Sequence, residues 1–83
     1  MRLVETVDNA KVTTFLNNNG DMTECIVEND TRVCTISLGR VSKTWTIFLD
    51  KKEDGFNAPL RVYTSLDRHS AIKYFDKKVK EFK

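Results

Sequence analysis

The chain has 83 residues, of which 40% are hydrophobic and 31% charged, with a formal net charge of +2. This length predicts a single domain, residues 1–83, whose thin core leaves little room for a deep enclosed pocket. No apolar stretch reaches the length of an export signal or a membrane span, so we expect a cytoplasmic protein.

The charge is unevenly distributed along the chain. Residues 1–39 carry three basic and six acidic side chains, a net charge of −3, whereas residues 40–83 carry eleven basic and six acidic, a net charge of +5. A one-sided basic surface concentrates polyanions and acidic partners.

The first predicted hairpin surrounds Asn17–Asp21. Its Asn19-Gly20 pair supplies the positive φ angles of a type I′ turn, and the flanking residues 12–15 are β-branched and aromatic. The predicted register sets Leu16 opposite Thr23, Thr14 opposite Cys25, and Val12 opposite Val27. A helix ending at Gly20 also fits the apolar spacing, but adjacent threonines and three asparagines disfavour it. Ahead of this hairpin, Leu3 and Val7 are compatible with an edge strand over residues 1–7.

A second hairpin follows, with a predicted two-residue loop at Asn29-Asp30. This loop sets Val27 opposite Arg32, Ile26 opposite Val33, and Cys25 opposite Cys34. Both hairpins then define one apolar face: Val12, Leu16, Cys25, Val27, Cys34, Ile36 and Leu38. The facing cysteines are a candidate cross-strand disulfide, while the alternative, favoured in a reducing cytosol, is two buried thiols.

Two more strands are expected after a turn at Gly39. Residues 43–49 alternate, with Trp45, Ile47 and Leu49 directed inward and Phe48 directed to the opposite face. A polar loop around Asp54-Gly55 spans residues 50–57, and Pro59 opens the last strand. In residues 60–63 the same alternation predicts Leu60 and Val62 inward, Arg61 and Tyr63 outward.

The C-terminal segment has the pattern of an amphipathic helix. Asp67 is the predicted N-cap, and Leu66 is placed to contact Ala71 as a hydrophobic staple. One apolar stripe follows at helical spacing: Ala71, Ile72, Phe75, Val79 and Phe82. The predicted fold is therefore α+β, an antiparallel β-meander sheet of four to six strands with one C-terminal α-helix packed on its apolar face.

Lysines on the outer side of this helix, together with aromatic and basic residues on the outward sheet face, are typical of a surface that binds single-stranded nucleic acid. Lysines neutralise phosphates, and aromatic rings stack on bases. The candidate residues are Phe48, Lys51, Lys52, Arg61, Tyr63, Lys73, Lys77 and Lys80. RNA is favoured over duplex DNA because no helix-turn-helix or basic zipper is present, although the ribonucleoprotein motifs of RNA-recognition domains are also missing.

A structural interpretation competes with this one. The helix lysines would be a solvated face paired within the helix, Asp76 with Lys80 and Lys77 with Glu81. Phe48 and Tyr63 would then be covered by the N-terminal segment.

The alternative partner is an acidic or host protein, as for small accessory proteins of phages and mobile elements that inhibit a host enzyme. That analogy rests on size, not on residues. The contact would involve an exposed sheet edge or the acidic hairpins, whose charged residues are Asp21, Glu24, Glu28 and Asp30.

Catalytic signals are weak. His69 is the single histidine, and Asp67, two residues earlier, does not face it on a helix. Glycine-rich phosphate loops are missing as well. Cys25, Cys34 and His69 offer three metal ligands, but without zinc-site spacing or a fourth ligand. We expect a non-enzymatic binding protein without cofactor or metal.

Overall fold

The computed structural model describes residues 1–39, 41–51 and 60–81, without the side chains of residues 50, 51 and 60. Six strands precede one helix in the chain. The elements are β1 (Arg2–Val7), β2 (Ala10–Leu16), β3 (Met22–Glu28), β4 (Arg32–Leu38), β5 (Trp45–Lys51), β6 (Leu60–Ser65) and α1 (Arg68–Lys80). The predicted Asp54-Gly55 turn and Pro59 lie outside the described residues, as does Phe82.

The strands form one antiparallel sheet in the order β1-β2-β3-β4-β5-β6, and α1 packs against β4, β5 and β6. This confirms the α+β meander expected from the sequence, and residues 1–7 do supply an edge strand. Alternation along each strand separates a face under α1, the helix face, from a helix-free face. The core lies between α1 and the helix face: Cys25, Val27, Cys34, Ile36, Trp45, Ile47, Ala71 and Phe75.

The type I′ turn lies in an unexpected place, between β1 and β2. Asp8 and Asn9 both have positive φ, at 50° and 68°, values that short polar side chains tolerate. In the β2–β3 loop only Gly20 has positive φ, and its N–H donates to the Asn17 carbonyl at 3.0 Å. The type I′ turn predicted at Asn19-Gly20 is therefore wrong; the loop is a type I turn followed by left-handed Gly20.

This loop changes the pairing only at its base. Val12 opposite Val27 and Thr14 opposite Cys25 are confirmed. Leu16, however, lies opposite Met22 instead of Thr23, because a bulge gives β3 one extra residue there.

The β3–β4 register is two residues away from the predicted one. The Asn29 side-chain oxygen accepts the N–H groups of Thr31 and Arg32, and Asn29 N–H donates to the Arg32 carbonyl, so the connection is longer than two residues. The observed pairs include Val27 with Cys34, Cys25 with Ile36, and Glu28 with Val33. An even shift leaves every side chain on its predicted face. Cys25 and Cys34 are not opposite each other, and both are buried and free.

A second bulge, between β5 and β6, reverses one predicted orientation. Ile47 lies opposite Tyr63 while Phe48 lies opposite Arg61, so Val62 is an extra residue in β6. Both Val62 and Tyr63 pack against the core under α1. The prediction that Tyr63 points outward with Arg61 is therefore wrong, because the extra residue interrupts the alternation.

The helix begins as predicted at Asp67. Its carboxylate accepts the N–H groups of His69 and Ser70 and the Ser70 hydroxyl. These hydrogen bonds, the Ser70 hydroxyl first, lower the pKa of Asp67. Leu66, in contrast, is 75% exposed, so the predicted staple onto buried Ala71 is wrong.

Candidate nucleic-acid interface

The candidate binding residues divide into three groups in the fold. Tyr63, Lys73 and Lys77 lie together beside the helix face of β6. Phe48 and Arg61 are on the helix-free face, and Lys80 lies elsewhere on the helix. Lys51 ends β5 without a described side chain, and Lys52 is outside the described residues.

Lys73 and Lys77 are one helical turn apart and line a shallow depression of about 300 Å³ between α1 and β6. The remaining lining residues are Tyr63, Ser70 and Tyr74. We call these five residues the basic flank. In the part of the chain that the structure describes, neither lysine forms an ion pair. Both ammonium groups are thus available to an anionic ligand.

A tyrosine pair forms the wall of the basic flank. The rings of Tyr63 and Tyr74 stack with centroids 4.4 Å apart and an interplanar angle of 13°. Lys78 Nζ lies over the Tyr74 ring at 5.4 Å and is 3.5 Å from a Glu81 carboxylate oxygen. The ring contact joins α1 to β6 and holds both aromatic side chains beside the two lysines.

The sequence analysis missed Tyr74 and Lys78, although a signal existed. Tyr74 borders the apolar stripe next to Phe75, and Lys78 follows it at i+4 on the same side of the helix. The ion pairs expected within the helix, Asp76 with Lys80 and Lys77 with Glu81, do not form between these described residues; Lys78 and Glu81 pair instead.

Lys80 belongs to a different part of the surface. It lines a groove of about 210 Å³ with Val79 at the end of α1 and with Val7 and Asp8 of the first hairpin. Arg68, at the start of α1, lies with its guanidinium carbon 5.9 Å from the Trp45 ring centroid. Neither residue lines the depression beside Tyr63.

Phe48 and Arg61 are neighbours across β5 and β6 on the helix-free face. Phe48 is half-buried and Arg61 exposed. The cross-strand row continues from Phe48 through Thr35, Ile26 and Thr13 to Val4. Because β1 is at the far edge of the sheet, the N-terminal segment does not cover Phe48, as the structural interpretation required.

The acidic hairpin residues are spread along β3. Glu24 and Glu28 lie on the helix-free face, about 14 Å apart by strand geometry. Asp21 and Asp30 belong to the loops at opposite ends of the strand. The largest depression, about 720 Å³, lies at the end of the sheet near Asp21 and combines Arg2 and Lys43 with Glu24. Its mixed charge distinguishes it from the basic flank.

The residues considered for catalysis or metal binding do not come together. His69 is exposed in the first turn of α1, whereas both cysteines are in the core. Within residues 1–39, 41–51 and 60–81, no three potential ligands are close enough to hold a metal ion. Burial raises the pKa of the Cys25 thiol, and the Thr14 hydroxyl 3.6 Å away lowers it by a smaller amount. The thiol is therefore protonated at neutral pH and a poor nucleophile.

Searches of protein-family models, of curated proteins and of solved structures found no match to this chain. In the described part of the chain, α1 is the helix, and its 13 residues are too few and too polar to traverse a bilayer.

Proposed function

We propose that this protein binds single-stranded nucleic acid, with RNA favoured, and that the basic flank is its principal contact. The supporting observation is that Lys73 and Lys77, both without an ion pair among the described residues, line one depression with a stacked tyrosine pair. Cations and aromatic rings in one groove are the two components that single-stranded nucleic acids require.

The two lysines are suited to a phosphate backbone that runs along the helix. They are one turn apart, about 5.4 Å along the axis, and project to the same side. The Ser70 hydroxyl at the N-terminal end of the depression is a further hydrogen-bond donor. Each phosphate neutralised by a lysine releases condensed counterions, so binding is expected to weaken steeply with salt.

Tyr63 is the base-stacking candidate of the pair. Tyr74 already has Tyr63 against one face and Lys78 over its ring. The ring of Tyr63 is held in place by that stack and belongs to an edge strand, where a base can approach from outside the sheet. A ring fixed before binding loses little conformational entropy when a base stacks on it.

Arg61 extends the proposed surface around the sheet edge. It is two residues from Tyr63 in β6 but lies on the opposite face, next to Phe48. A strand longer than the basic flank, continuing around β6, would meet Arg61 and then Phe48. We therefore propose that short oligonucleotides depend on Lys73 and Lys77, and that longer ones gain affinity from Arg61.

The test is fluorescence anisotropy with labelled oligouridine over a series of salt concentrations. We expect the double variant K73Q/K77Q to weaken binding and to reduce the slope of log K against log salt by about 1.4, about 0.7 per lost phosphate contact on a single strand. The charge-matched control is K11Q/K43Q, because Lys11 and Lys43 lie outside the basic flank. This control is expected to keep both affinity and slope.

Equal loss in both double variants would show attraction by net charge alone and would overturn the assignment of the site. A pull-down with and without nuclease addresses the other partner class. One protein captured regardless of nuclease, with no oligonucleotide binding, would replace this proposal with a protein target. The absence of catalysis and the cytoplasmic location remain predictions from the sequence.

A further inference from the structure

The two edges of the sheet are protected to different degrees. β6 contains a bulge and packs against α1, which covers its helix face. β1 pairs with β2 over six residues without a bulge, and every one of its side chains is exposed. Among them, Leu3, Val4 and Val7 are about half exposed. A long regular edge with apolar side chains is a template for adding another strand.

The hydrogen-bonding directions of β1 follow from its pairing with β2. Met1 and Leu16 exchange both backbone hydrogen bonds, the Leu16 N–H at 2.8 Å and the Met1 amino group at 3.1 Å. Because such pairs alternate in an antiparallel ladder, Leu3, Glu5 and Val7 also bond to β2. The N–H and C=O groups of Arg2, Val4 and Thr6 therefore point away from the sheet.

This pattern is complementary to itself. When a second β1 runs antiparallel with Val4 opposite Val4 of the second copy, Arg2 lies opposite Thr6 of the second copy, and Thr6 opposite Arg2. All three outward-pointing residues of each strand then form hydrogen-bonded pairs, around a two-fold axis at Val4. The second copy satisfies every outward backbone group of β1.

Charge favours the same register. With Val4 on the axis, Glu5 lies opposite Leu3 of the second copy, so no like charges are directly opposed. Sliding the copy by two residues in one direction sets Glu5 opposite Glu5, which is unfavourable. Sliding it in the other direction leaves Thr6 unpaired. A one-residue slide is not possible, since it would turn the faces over.

We propose that the protein forms a two-fold symmetric dimer in which the β1 edges of two copies pair antiparallel around Val4, giving one continuous twelve-stranded sheet. The partner is a second copy of this chain. The proposal is independent of nucleic-acid binding, because the basic flank lies at the opposite edge of the sheet. Loss of oligonucleotide binding in K73Q/K77Q is expected to leave the dimer intact.

The first test is sedimentation of nuclease-treated protein from micromolar to near-millimolar concentration. The wild type is expected to approach twice the mass of one chain as concentration rises. Val4→Pro is expected to abolish this rise, because it removes an outward N–H and places a ring in the interface without deleting a β1–β2 hydrogen bond. Val4→Thr, which keeps the N–H and a β-branched side chain, is the matched control and is expected to dimerise.

The second test reads the register and does not depend on how proline affects folding. Val4→Cys is expected to form a disulfide-linked dimer on mild oxidation, because paired Cα atoms about 5.5 Å apart are within disulfide range. Thr6→Cys is the control, since the two Thr6 positions would be about 14 Å apart along the strands. The native cysteines are buried, so wild-type protein supplies the background.

A wild type that stays monomeric throughout overturns the proposal, including when β1 instead captures an extended peptide of another protein. Dimerisation of Val4→Pro at wild-type concentrations overturns it as well. Equal cross-linking of the Val4→Cys and Thr6→Cys variants would contradict the register on which it depends.

Discussion

β4 and β5 lie beneath α1, whereas β1 is exposed along its whole length. Ile36 and Ile47 have no exposed surface, while Leu3 and Val7, on the same face, are about half exposed. The helix is about 10–12 Å wide, and six strands spaced about 4.8 Å apart extend over about 24 Å. One helix therefore covers about half of the sheet. The comparison shows that an alternating apolar pattern identifies a face but not what covers it.

The covered half is where stability is expected to reside, and paired truncations test this most strongly. Ile36→Ala and Leu3→Ala remove the same number of carbon atoms from the same face. Ile36→Ala is expected to lower the free energy of unfolding by about 2–5 kcal/mol, because it leaves a cavity under α1. Leu3→Ala is expected to cost less than about 1 kcal/mol.

Urea denaturation followed by circular dichroism measures both variants, in dilute protein so that association does not contribute. Equal losses in the two variants would show that the halves are equally important to stability.

The start of α1 offers a pH-dependent test of how the covered half is held together. Hydrogen bonds lower the pKa of Asp67 in the folded protein below its ordinary value of 3.8, so the carboxylate favours the folded state. This contribution is complete well above pH 3.8 and disappears as the pH falls through the lower folded-state pKa. Asp67→Asn keeps a capping oxygen but does not titrate.

We therefore expect the wild type to exceed Asp67→Asn in stability at neutral pH, and the difference to narrow on acidification below pH 3.8. Urea midpoints for the two proteins across that range provide the measurement. A difference that stays constant with pH would contradict the assigned role of the Asp67 charge.

Thiol labelling compares the halves without changing their stability. Cys25 in β3 is 8% exposed and next to the open half, whereas Cys34 in β4 has no exposed surface. Alkylation of both is expected to be roughly tenfold or more slower than in the unfolded chain, with Cys25 modified before Cys34, because local opening exposes it at lower cost. Mass spectrometry of peptides identifies the order, and Cys25→Ala isolates the Cys34 rate. Earlier labelling of Cys34 would place the weaker region in the covered half.

The proposed interactions extend this contrast, because the two halves offer different surfaces. The covered half holds Tyr63 and Tyr74 in a fixed stack beside Lys73 and Lys77, a preorganised surface for a charged ligand. The open half ends in a strand with unsatisfied backbone groups, a surface for another strand. Combining K73Q/K77Q with Val4→Pro is expected to remove both interactions, each as in the separate variants.

Sequence reasoning succeeded where one local signal determined the outcome. The cap at Asp67, the buried Ala71 and Phe75, and the inward Trp45 and Ile47 all follow from helical or strand periodicity. It failed where the hydrogen bonds of a loop or one extra residue intervened. Asn29 lengthened the β3–β4 connection, and Val62 turned Tyr63 onto the helix face.

The candidate site was therefore foreseen only in part. Lys73 and Lys77 are where the helical pattern placed them, but Tyr63 joins them because of a bulge, and Lys80 lies in another groove. Bulges depend on the fit between neighbouring strands, and no periodicity within one strand encodes that fit.

The sequence by itself determined the meander, the apolar face of each strand and the helix that covers it, because these depend on periodicities and turn residues within short segments. Only the tertiary structure decided which half of the sheet α1 covers, which edge stays open, and that Tyr63 stacks on Tyr74. Those outcomes depend on the width of a helix relative to a six-stranded sheet and on contacts between residues distant in the chain.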